Sequence, residues 1–380
     1  MAVYLDWNAT TPLRPEARAA YLSGCDEAWG NPSSTHSFGQ RARHGLDQAR
    51  LRISALLGCR AQELVLTSGG TEANALAIHS VLAHGGDAVV GAIEHSSVLR
   101  NVAAACTRHG GTMQRIAVDA QGRVAPQEVL AALGPQTRLV CVQFANNELG
   151  TIQDVAAISA AVHRQQPGVS VLVDCCQAPG KTPMTLAGLG ADLASFAGHK
   201  LGAMKGVGLL YVRQGQALEA QLHGGRQQQD RRSGSEDAPL ALALAAALEV
   251  AMSTQRAEGE RQQRLLTALW EQVHAALPEA RWLGQGAARI ANTMSLAHPG
   301  CRREDLVARL DLAGFAVSPG AACMAARGEP SHVIAALALP AGLAAGAIRI
   351  SIGWSTTSAD LQGFAQAYIQ EVAGDRLNGV

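Results

Sequence analysis

Three short segments of this chain combine residue types and spacings that could do chemistry. The first is SGGTEAN at residues 68–74, which follows an apolar run and opens a helical pattern with Thr71 and Glu72 in its first turn. Free backbone N–H groups and the positive end of a helix dipole attract phosphate, so this turn is a candidate phosphate cradle around Gly70. A tight strand-to-helix turn with a threonine cap would have the same sequence.

The second segment, VLVDCCQ, ends an apolar run with a carboxylate. Asp174 closes the run, and Gln177 follows three positions later. Burying a carboxylate is costly unless it meets a positive partner. A protonated pyridine nitrogen is one such partner, and a helix-capping role for Asp174 is the alternative.

The third segment, SFAGHKLGAMKGVGLLYVR, begins at Ser195 and contains a lysine between two apolar runs. Its glycines bracket His199 and Lys200. A lysine held at a cleft can have its pKa lowered and can attach covalently to an aldehyde. An exposed His-Lys pair on the surface is the alternative.

The elements that position these segments are predicted by an alternation of apolar, β-branched runs with helical patterns. Strands are predicted at 64–67, 88–92, 139–145, 169–173, 193–196 and 207–212, and helices from 72 onward, at 98–108 and at 156–165. This alternation is typical of a mostly parallel sheet with helices on both faces. Glycines cluster at the strand ends, where such sheets bind ligands.

The pattern changes after the loop HGGRQQQDRRSGSEDAP. A long Ala/Leu helix at about 240–254 leads into a polar helical stretch, and a short α+β pattern follows at about 290–373. We therefore place a domain boundary near 255. A large domain is predicted over 13–255, and a smaller C-terminal domain over 256–380 together with residues 1–12.

Composition excludes several classes of protein. Of the 380 residues, 48% are hydrophobic and 16% are charged, and a charged share well below the usual ~25% excludes a disordered chain. Lys plus Arg and Asp plus Glu both total 31, so the formal net charge is zero. The protein therefore has no net positive charge that would attract nucleic acid or anionic lipid, and we expect neither as a direct partner.

Cysteine usage and the apolar segments indicate a cytoplasmic chain. The eight cysteines contain no CxxC pair and are too sparse for a disulfide scaffold. We therefore expect reduced thiols, one of which could be reactive. The first dozen residues lack a basic stretch ahead of an apolar run, so we expect no secretory signal. The most apolar stretch, residues 333–348, contains Pro340 and is shorter than the ~20 residues of a spanning helix.

Together, the three segments meet the requirements of pyridoxal phosphate: an anchor for the phosphate, a counter-ion for the ring nitrogen and an amine for the aldehyde. Their order and spacing resemble class V aminotransferase-like enzymes of fold type I, and more closely the cysteine desulfurases. The motifs that carry this resemblance follow the family's order along nearly the whole chain: YLDWNATTP, GNPSSTHSFG, TSGGTEAN, IEHSSV, ANNELGTIQD, DCCQAPGK, GHK with KGVG, RRSGS, SPGAAC and RISIG. The separation of Cys323 from Arg349 resembles that of the NifS-like subgroup.

The resemblance implies a fold and a set of cofactor contacts. The fold is a large, mostly parallel sheet sandwiched by helices, with a smaller α+β C-terminal domain. Lys200 matches the lysine that binds the cofactor covalently, and Asp174 matches the partner of the ring nitrogen. Gln177 matches a donor to the ring hydroxyl, and His95 an imidazole that stacks on the ring. Further cofactor contacts are implied for Gly70, Thr71, Asn147, His199 and Ser235.

The resemblance also implies a substrate and partners. Arg349 matches the arginine that binds the substrate carboxylate beside Asn147, a task that suits a planar bidentate donor. Cys323 matches the nucleophile that takes sulfur from L-cysteine as a persulfide, leaving L-alanine. Ser235 matches a residue that, in the family, reaches the neighbouring subunit's phosphate in a homodimer. The sulfur then passes to an acceptor protein, for example in iron–sulfur cluster assembly or tRNA thiolation, and no metal is implied.

Four positions depart from the family's pattern. Ala197 stands where a serine usually contacts the phosphate, Ser235 replaces a threonine, Trp354 stands where a basic residue is common, and Pro319 stiffens the loop before Cys323. Two other functions stay open, the first because enzymes of one fold catalyse several reactions and the second because of the departures at Ala197 and Pro319. One is a related enzyme, such as a selenocysteine lyase or a transaminase. The other is a weakly active sulfur carrier or scaffold.

Overall fold

The computed structural model describes residues 2–320 and 331–377, and Cys323 lies outside the described residues. The strands are β1 (Val3–Tyr4), β2 (Leu64–Thr67), β3 (Asp87–Gly91), β4 (Met113–Ile116), β5 (Thr137–Cys141), β6 (Ser170–Asp174), β7 (Leu193–Ala197), β8 (Gly208–Val212), β9 (Arg281–Leu283), β10 (Thr293–Ala297), β11 (Phe315–Ala316) and β12 (Ile348–Ser351). The α-helices are α1 (Pro15–Glu27), α2 (Ser37–Leu57), α3 (Gly70–Val81), α4 (Ser96–His109), α5 (Pro126–Ala131), α6 (Val155–Gln165), α7 (Leu186–Leu189), α8 (Ala238–Ala276), α9 (Arg303–Leu312), α10 (His332–Ala336), α11 (Ala341–Ala345) and α12 (Ser358–Leu377).

Seven strands form one large sheet in the order β2-β8-β7-β6-β5-β3-β4. Only β8 runs antiparallel to its neighbours β2 and β7, and the other pairs are parallel. Side chains alternate between the two faces of a strand. Accordingly, Val171 and Val173 pack in one apolar core with α2, α6 and α8, whereas Leu172 packs in another with α3 and α4. The predicted mostly parallel sheet with helices on both faces is confirmed.

The strands and helices that were predicted lie within a few residues of their expected positions, whereas strand β4 and helices α1, α2, α5 and α7 of the large domain were not predicted. The apolar run 139–145 predicts too long a strand, because β5 ends at Cys141 and the following buried residues continue as irregular backbone. In that continuation Phe144 N donates to the Asp174 backbone oxygen at 2.9 Å. The sequence of strand β4 contains no apolar run, because this strand lies at the edge of the sheet and exposes Gln114 and Arg115.

Helix α8 contributes to two separate apolar cores. Its first half contributes Leu244 and Leu248 to the core of the large sheet, and its second half contributes Leu266 and Val273 to a separate core around the small sheet. The predicted boundary near 255 falls inside this continuous helix and stays an interpretation. Among the described residues, α8 alone is long and apolar enough to cross a membrane, but half of that apolar window is buried in the fold, as in the core helix of a folded protein.

A small antiparallel sheet in the order β12-β10-β9 lies beside the second core. The beginning of the chain pairs with this part of the molecule. Strand β1 pairs in parallel with β11, with Val3 opposite Phe315, and Asp6 forms a parallel bridge with Ser351 of β12. The first residues of the chain are therefore fixed beside elements that come more than 300 positions later.

Candidate functional site

A cavity of about 210 Å³ lies at the carboxyl ends of β6 and β7. Its lining includes the following residues singled out by the sequence: Gly70, Thr71, His95, Asn147, Asp174, Gln177, His199, Lys200 and Arg349. It also includes Ala197, singled out as a departure from the family's pattern, and residues that were quoted only within motifs or not at all: Asn8, Ala9, Ser97, Gln143, Ala145 and Cys176. Ser235 is exposed in the loop before α8 and does not line the cavity of its own chain.

The first part of the site is the start of α3. This twelve-residue helix begins at Gly70 without a side-chain cap, and its first two residues, Gly70 and Thr71, line the cavity. A Cβ on Gly70 would lie 2.4 Å from the Cys176 sulfur, which explains why glycine stands at this close approach. Glu72 would repel a phosphate here, but Arg232 pairs with it at 2.7 Å. An open helix start with its nearby carboxylate neutralised fits a phosphate group.

Asp174 is the last residue of β6 and is buried. Its Oδ2 accepts from Asn74 Nδ2 at 3.0 Å, and its Oδ1 accepts from the Cys176 backbone N at 2.9 Å. The second bond is the local capping contact that was considered as the alternative role. Because the described residues provide no salt-bridge partner for this carboxylate, it fits the protonated ring nitrogen of pyridoxal phosphate.

His95 caps the start of α4 and is held by Ser97. Its Nδ1 accepts from the Ser97 backbone N at 3.1 Å and is 2.7 Å from Ser97 Oγ. Burial, together with the positive charge of Lys200, lowers the pKa of His95 to about 4. The imidazole is therefore neutral near pH 7, and its proton resides on Nε2, since Nδ1 is an acceptor. Asn74 donates to both Ser97 Oγ and Asp174, which links His95 to the carboxylate.

Lys200 ends a single 3₁₀ turn, Gly198–Lys200, that follows β7 directly. A Cβ on Gly198 would lie 2.9 Å from the backbone oxygen of Val207, so glycine lets the turn pack against the start of β8. His199 in this turn is paired with Thr10 Oγ1 at 3.1 Å. Burial and the charge of Lys200 lower the pKa of His199 to about 4, so this imidazole is also neutral near pH 7.

Gln177 is oriented by two residues that the sequence did not single out, Lys181 and Asn8. Its Nε2 donates to the Asn8 backbone oxygen at 3.0 Å, and its Oε1 accepts from Lys181 Nζ. Lys181 also donates to Asn8 Oδ1 at 2.8 Å. Burial first, and then the charges of Lys200 and Arg349, hold the pKa of Lys181 well below its usual range. The second N–H of the Gln177 amide therefore stays available to the cavity.

Arg349 comes from β12 and is 2% exposed. Its Nη1 donates to the Asn147 backbone oxygen at 3.1 Å, and its Nη2 is paired with Asp6. The small sheet thus brings a guanidinium to the cavity that the large sheet opens, and Asn147 supports it through its backbone. Asp6 belongs to the quoted motif YLDWNATTP, but nothing in the local sequence indicates that its side chain meets Arg349.

The departures from the family's pattern have different surroundings. Ala197 lines the cavity, as expected for a position near the phosphate. Trp354 packs edge-on to Trp7, with ring centroids 4.6 Å apart, and the Arg14 guanidinium lies 3.9 Å above its ring. An aromatic residue is therefore accommodated by stacking where a basic residue is common. Pro319 precedes the residues that are not described.

The donor set as a whole fits pyridoxal phosphate. An open helix start, a buried unpaired carboxylate and a lysine line one cavity. Within residues 2–320 and 331–377, no group of three or more His, Cys, Asp and Glu side chains could hold a metal ion.

Comparison with known proteins agrees with this architecture. Residues 3–364 match the family described as Aminotransferase class-V. A cysteine desulfurase of Cereibacter sphaeroides is 40% identical over 364 residues, which cover 94% of this chain and 92% of that protein. A solved NifS-like protein shares 29% identity at a TM-score of 0.92, covering 98% of this chain and all of the other.

A second solved structure, described as SspA in complex with cysteine, shares 27% identity at a TM-score of 0.81 and covers 92% of this chain and 98% of that one. The family match spans nearly the whole length of the sequence, and the Cereibacter sphaeroides relative matches over a similar length. The chain belongs to the class V aminotransferase family, in the group of proteins named cysteine desulfurase.

Proposed function

We propose that this chain is a pyridoxal-phosphate-dependent cysteine desulfurase, which converts L-cysteine to L-alanine and transfers the sulfur to Cys323 as a persulfide. The observation that carries the proposal is the meeting of Lys200, Asp174 and Arg349 around one cavity. The relatives named cysteine desulfurase indicate which reaction of the family this arrangement serves.

The described residues would bind both the phosphate and the ring of the cofactor. The N–H groups at Gly70 and Thr71 would bind the phosphate, and Asp174 would pair with the ring nitrogen. The second N–H of the Gln177 amide would donate to the ring hydroxyl, and Lys200 would provide the amine for the aldehyde. When bound, pyridoxal phosphate supplies an electron sink for the charge that is left when the substrate Cα loses a proton.

The residues of this chain would bind the substrate and move its protons. Arg349 would bind the carboxylate of L-cysteine, close to Asn147. The Lys200 amine would accept the Cα proton and return a proton later in the cycle. His95, neutral and held by Ser97, would cover the ring without adding a positive charge to the site.

Cys323 would complete the reaction as a nucleophile. Its thiolate attacks the substrate sulfur, so that a new S–S bond forms while the substrate C–S bond breaks. The bonding pair of the C–S bond stays with the carbon fragment, which takes up protons and leaves as L-alanine. L-cysteine and the Cys323 thiol are thereby converted to L-alanine and the Cys323 persulfide.

We further propose a cytoplasmic homodimer that delivers sulfur to a protein acceptor such as an iron–sulfur scaffold. Support for the dimer comes from exposed apolar side chains at the start of the chain, among them Trp29 at 62% and Phe38 at 45% exposure. Ser235 is exposed in a loop without regular structure, where it is free to contact a neighbouring subunit. The acceptor would take the sulfur from Cys323 in a separate step.

Sulfide release tests the proposal. The protein loaded with pyridoxal phosphate, given L-cysteine and a reductant that discharges a persulfide, should yield sulfide and L-alanine in equal amounts. Cys323→Ser should abolish both while retaining cofactor binding, because a serine hydroxyl stays protonated near neutral pH whereas a thiol of pKa about 8.5 supplies thiolate. Cys25→Ser, at an exposed thiol, is the matched control and should retain activity.

The same assay separates the other functions. A transaminase would consume a keto acid and release no sulfide, and an inactive scaffold would do neither. A selenocysteine lyase would release selenide from selenocysteine in preference to sulfide from cysteine. Equal sulfide and L-alanine from the Cys323→Ser variant would remove Cys323 from the mechanism.

A further inference from the structure

The guanidinium of Arg349 already has a carboxylate partner within the chain. Its Nη2 forms an ion pair with Asp6, and its Nη1 donates to the Asn147 backbone oxygen at 3.1 Å. Its Nε is buried and has no hydrogen-bond partner among the described residues. The group proposed to bind the substrate carboxylate therefore carries a permanent counter-ion and still has unused donor capacity.

The backbone holds Asp6 in this position. Asp6 bridges to Ser351, the Leu5 backbone oxygen accepts from Ser351 N at 2.8 Å, and the Asn8 backbone N donates to Ser351 Oγ at 3.0 Å. Residues 349 and 351 point to the same face of β12, because side chains alternate along a strand. The Asp6 carboxylate is thus set beside Arg349 by the pairing of the main chains and does not depend on a flexible side chain alone.

This counter-ion has two opposing effects. A guanidinium that is 2% exposed is costly without a negative partner, so Asp6 stabilises Arg349 at the cavity when no substrate is bound. The same charge weakens the attraction of Arg349 for any other anion. Among the described lining residues, the remaining charged side chains other than histidine are Lys200 and Asp174, so a ligand with two carboxylates finds little unpaired positive charge.

We propose that Asp6 is a specificity-determining residue, which neutralises Arg349 in advance and so selects for amino acids with a single carboxylate. The proposal rests on the proposed function in one respect, the role of Arg349 toward the substrate carboxylate. The proposal predicts a graded effect on affinity: Asp6 weakens the binding of a ligand more, the more carboxylates the ligand carries.

The experiment measures ligand affinity from the change in visible absorbance of the protein loaded with pyridoxal phosphate. The ligands are L-aspartate, L-alanine and cysteamine, which carry two, one and no carboxylate. Asp6→Asn removes the charge but retains an oxygen that can accept from Arg349. We expect it to tighten L-alanine binding by about fivefold and L-aspartate binding by more, and to leave the binding of cysteamine unchanged, since one charge of a partly screened ion pair contributes about this much.

Two controls accompany this variant. Asp6→Glu retains the charge and should retain the wild-type order of affinities. Asp119→Asn makes the same chemical change at an exposed ion pair with Arg123 and should change none of the three affinities. With L-cysteine, Asp6→Asn should lower KM and leave kcat unaltered, because the charge acts on substrate binding and not on the reacting atoms.

Equal changes for all three ligands, or weaker binding of L-alanine in Asp6→Asn, would overturn the proposal and assign Asp6 a structural role. If Arg349→Gln fails to weaken L-alanine binding, the premise about Arg349 is wrong and the proposal falls with it. Failure of the desulfurase function would appear differently: L-alanine would still bind in the graded way, but L-cysteine would release no sulfide.

Discussion

The cavity is bounded by two walls that are built in different ways. The cofactor wall consists of Gly70, Asp174 and Lys200, which lie at the start of the helix after β2, at the end of β6 and in the turn after β7. The substrate wall consists of Asn8 and Arg349, whose side chains both donate to the backbone oxygen of Asn147 and so connect distant parts of the chain. The first wall is a product of local backbone geometry, whereas the second exists only when the whole chain has folded.

The difference predicts where substitutions act. A residue of the cofactor wall can lose its chemistry without loss of fold, because its neighbours in sequence still form the turn that held it. A residue of the substrate wall is part of the structure that positions the others, so its loss should affect stability and binding together.

The largest expected effect is on the cofactor wall. Lys200→Ala should abolish covalent attachment of pyridoxal phosphate and sulfide release, while the free energy of unfolding of the cofactor-free protein stays within about 1 kcal/mol of wild type, because the side chain is half-buried and in a turn. The visible absorbance band and urea denaturation measure the two quantities. Lys205→Ala, five positions later, should leave both unaltered, and a retained cofactor band in Lys200→Ala would contradict the assignment.

A smaller effect, on stability itself, is expected for the substrate wall. Asn8 is 2% exposed, and its side chain donates to Asn147 O and Thr293 Oγ1 and accepts from Lys181 and Asn292. Asn8→Ala should lower the free energy of unfolding by about 2–5 kcal/mol, because it leaves several buried polar groups without a partner.

The matched control for Asn8 is Asn101, a half-buried residue of α4 whose side chain donates to Ser97 O and pairs with His79. Asn101→Ala should cost about 1 kcal/mol in urea denaturation. Equal losses for the two variants would show that the substrate wall is no more cooperative than an ordinary helix surface.

The smallest effect concerns pH and returns to the cofactor wall. The pKa of His95 is about 4 in the folded chain against an ordinary 6.5, so the unfolded chain takes up a proton as the pH falls through 6.5 while the folded chain does not until about pH 4. This residue therefore lowers the free energy of unfolding between pH 7 and 5, by on the order of 1–2 kcal/mol.

The test compares urea denaturation of cofactor-free wild type and His95→Gln at pH 7 and pH 5. The variant should lose less stability than wild type over this interval, since glutamine does not titrate. His84→Gln, at a side chain that is 93% exposed, should lose as much as wild type. Parallel losses in all three proteins would mean that His95 is not buried as a neutral group.

The two walls also differ in how far the sequence predicted them. Asp174 and Lys200 were recognisable because a strand-end carboxylate and a lysine in a glycine-bracketed turn are local patterns. The roles of Asn8, Lys181 and Asp6 were not, because their partners are set by tertiary packing and no local pattern encodes those contacts. Strand β4 was missed for a related reason: its exposed edge position removed the apolar run that identifies a buried strand.

The pairing of the first residues with β12 has a consequence for synthesis of the protein. Asn8 and its partner Ser351 are separated by 343 positions. Because chains are synthesised at roughly 5–20 residues per second, Ser351 is added on the order of tens of seconds after Asn8. The large sheet can assemble during that time, but the apolar residues near the N-terminus have no partner strand until the last part of the chain emerges. Closure of the substrate wall thus has to follow the synthesis of β12, and a nascent chain stalled before β12 would expose this segment to chaperones.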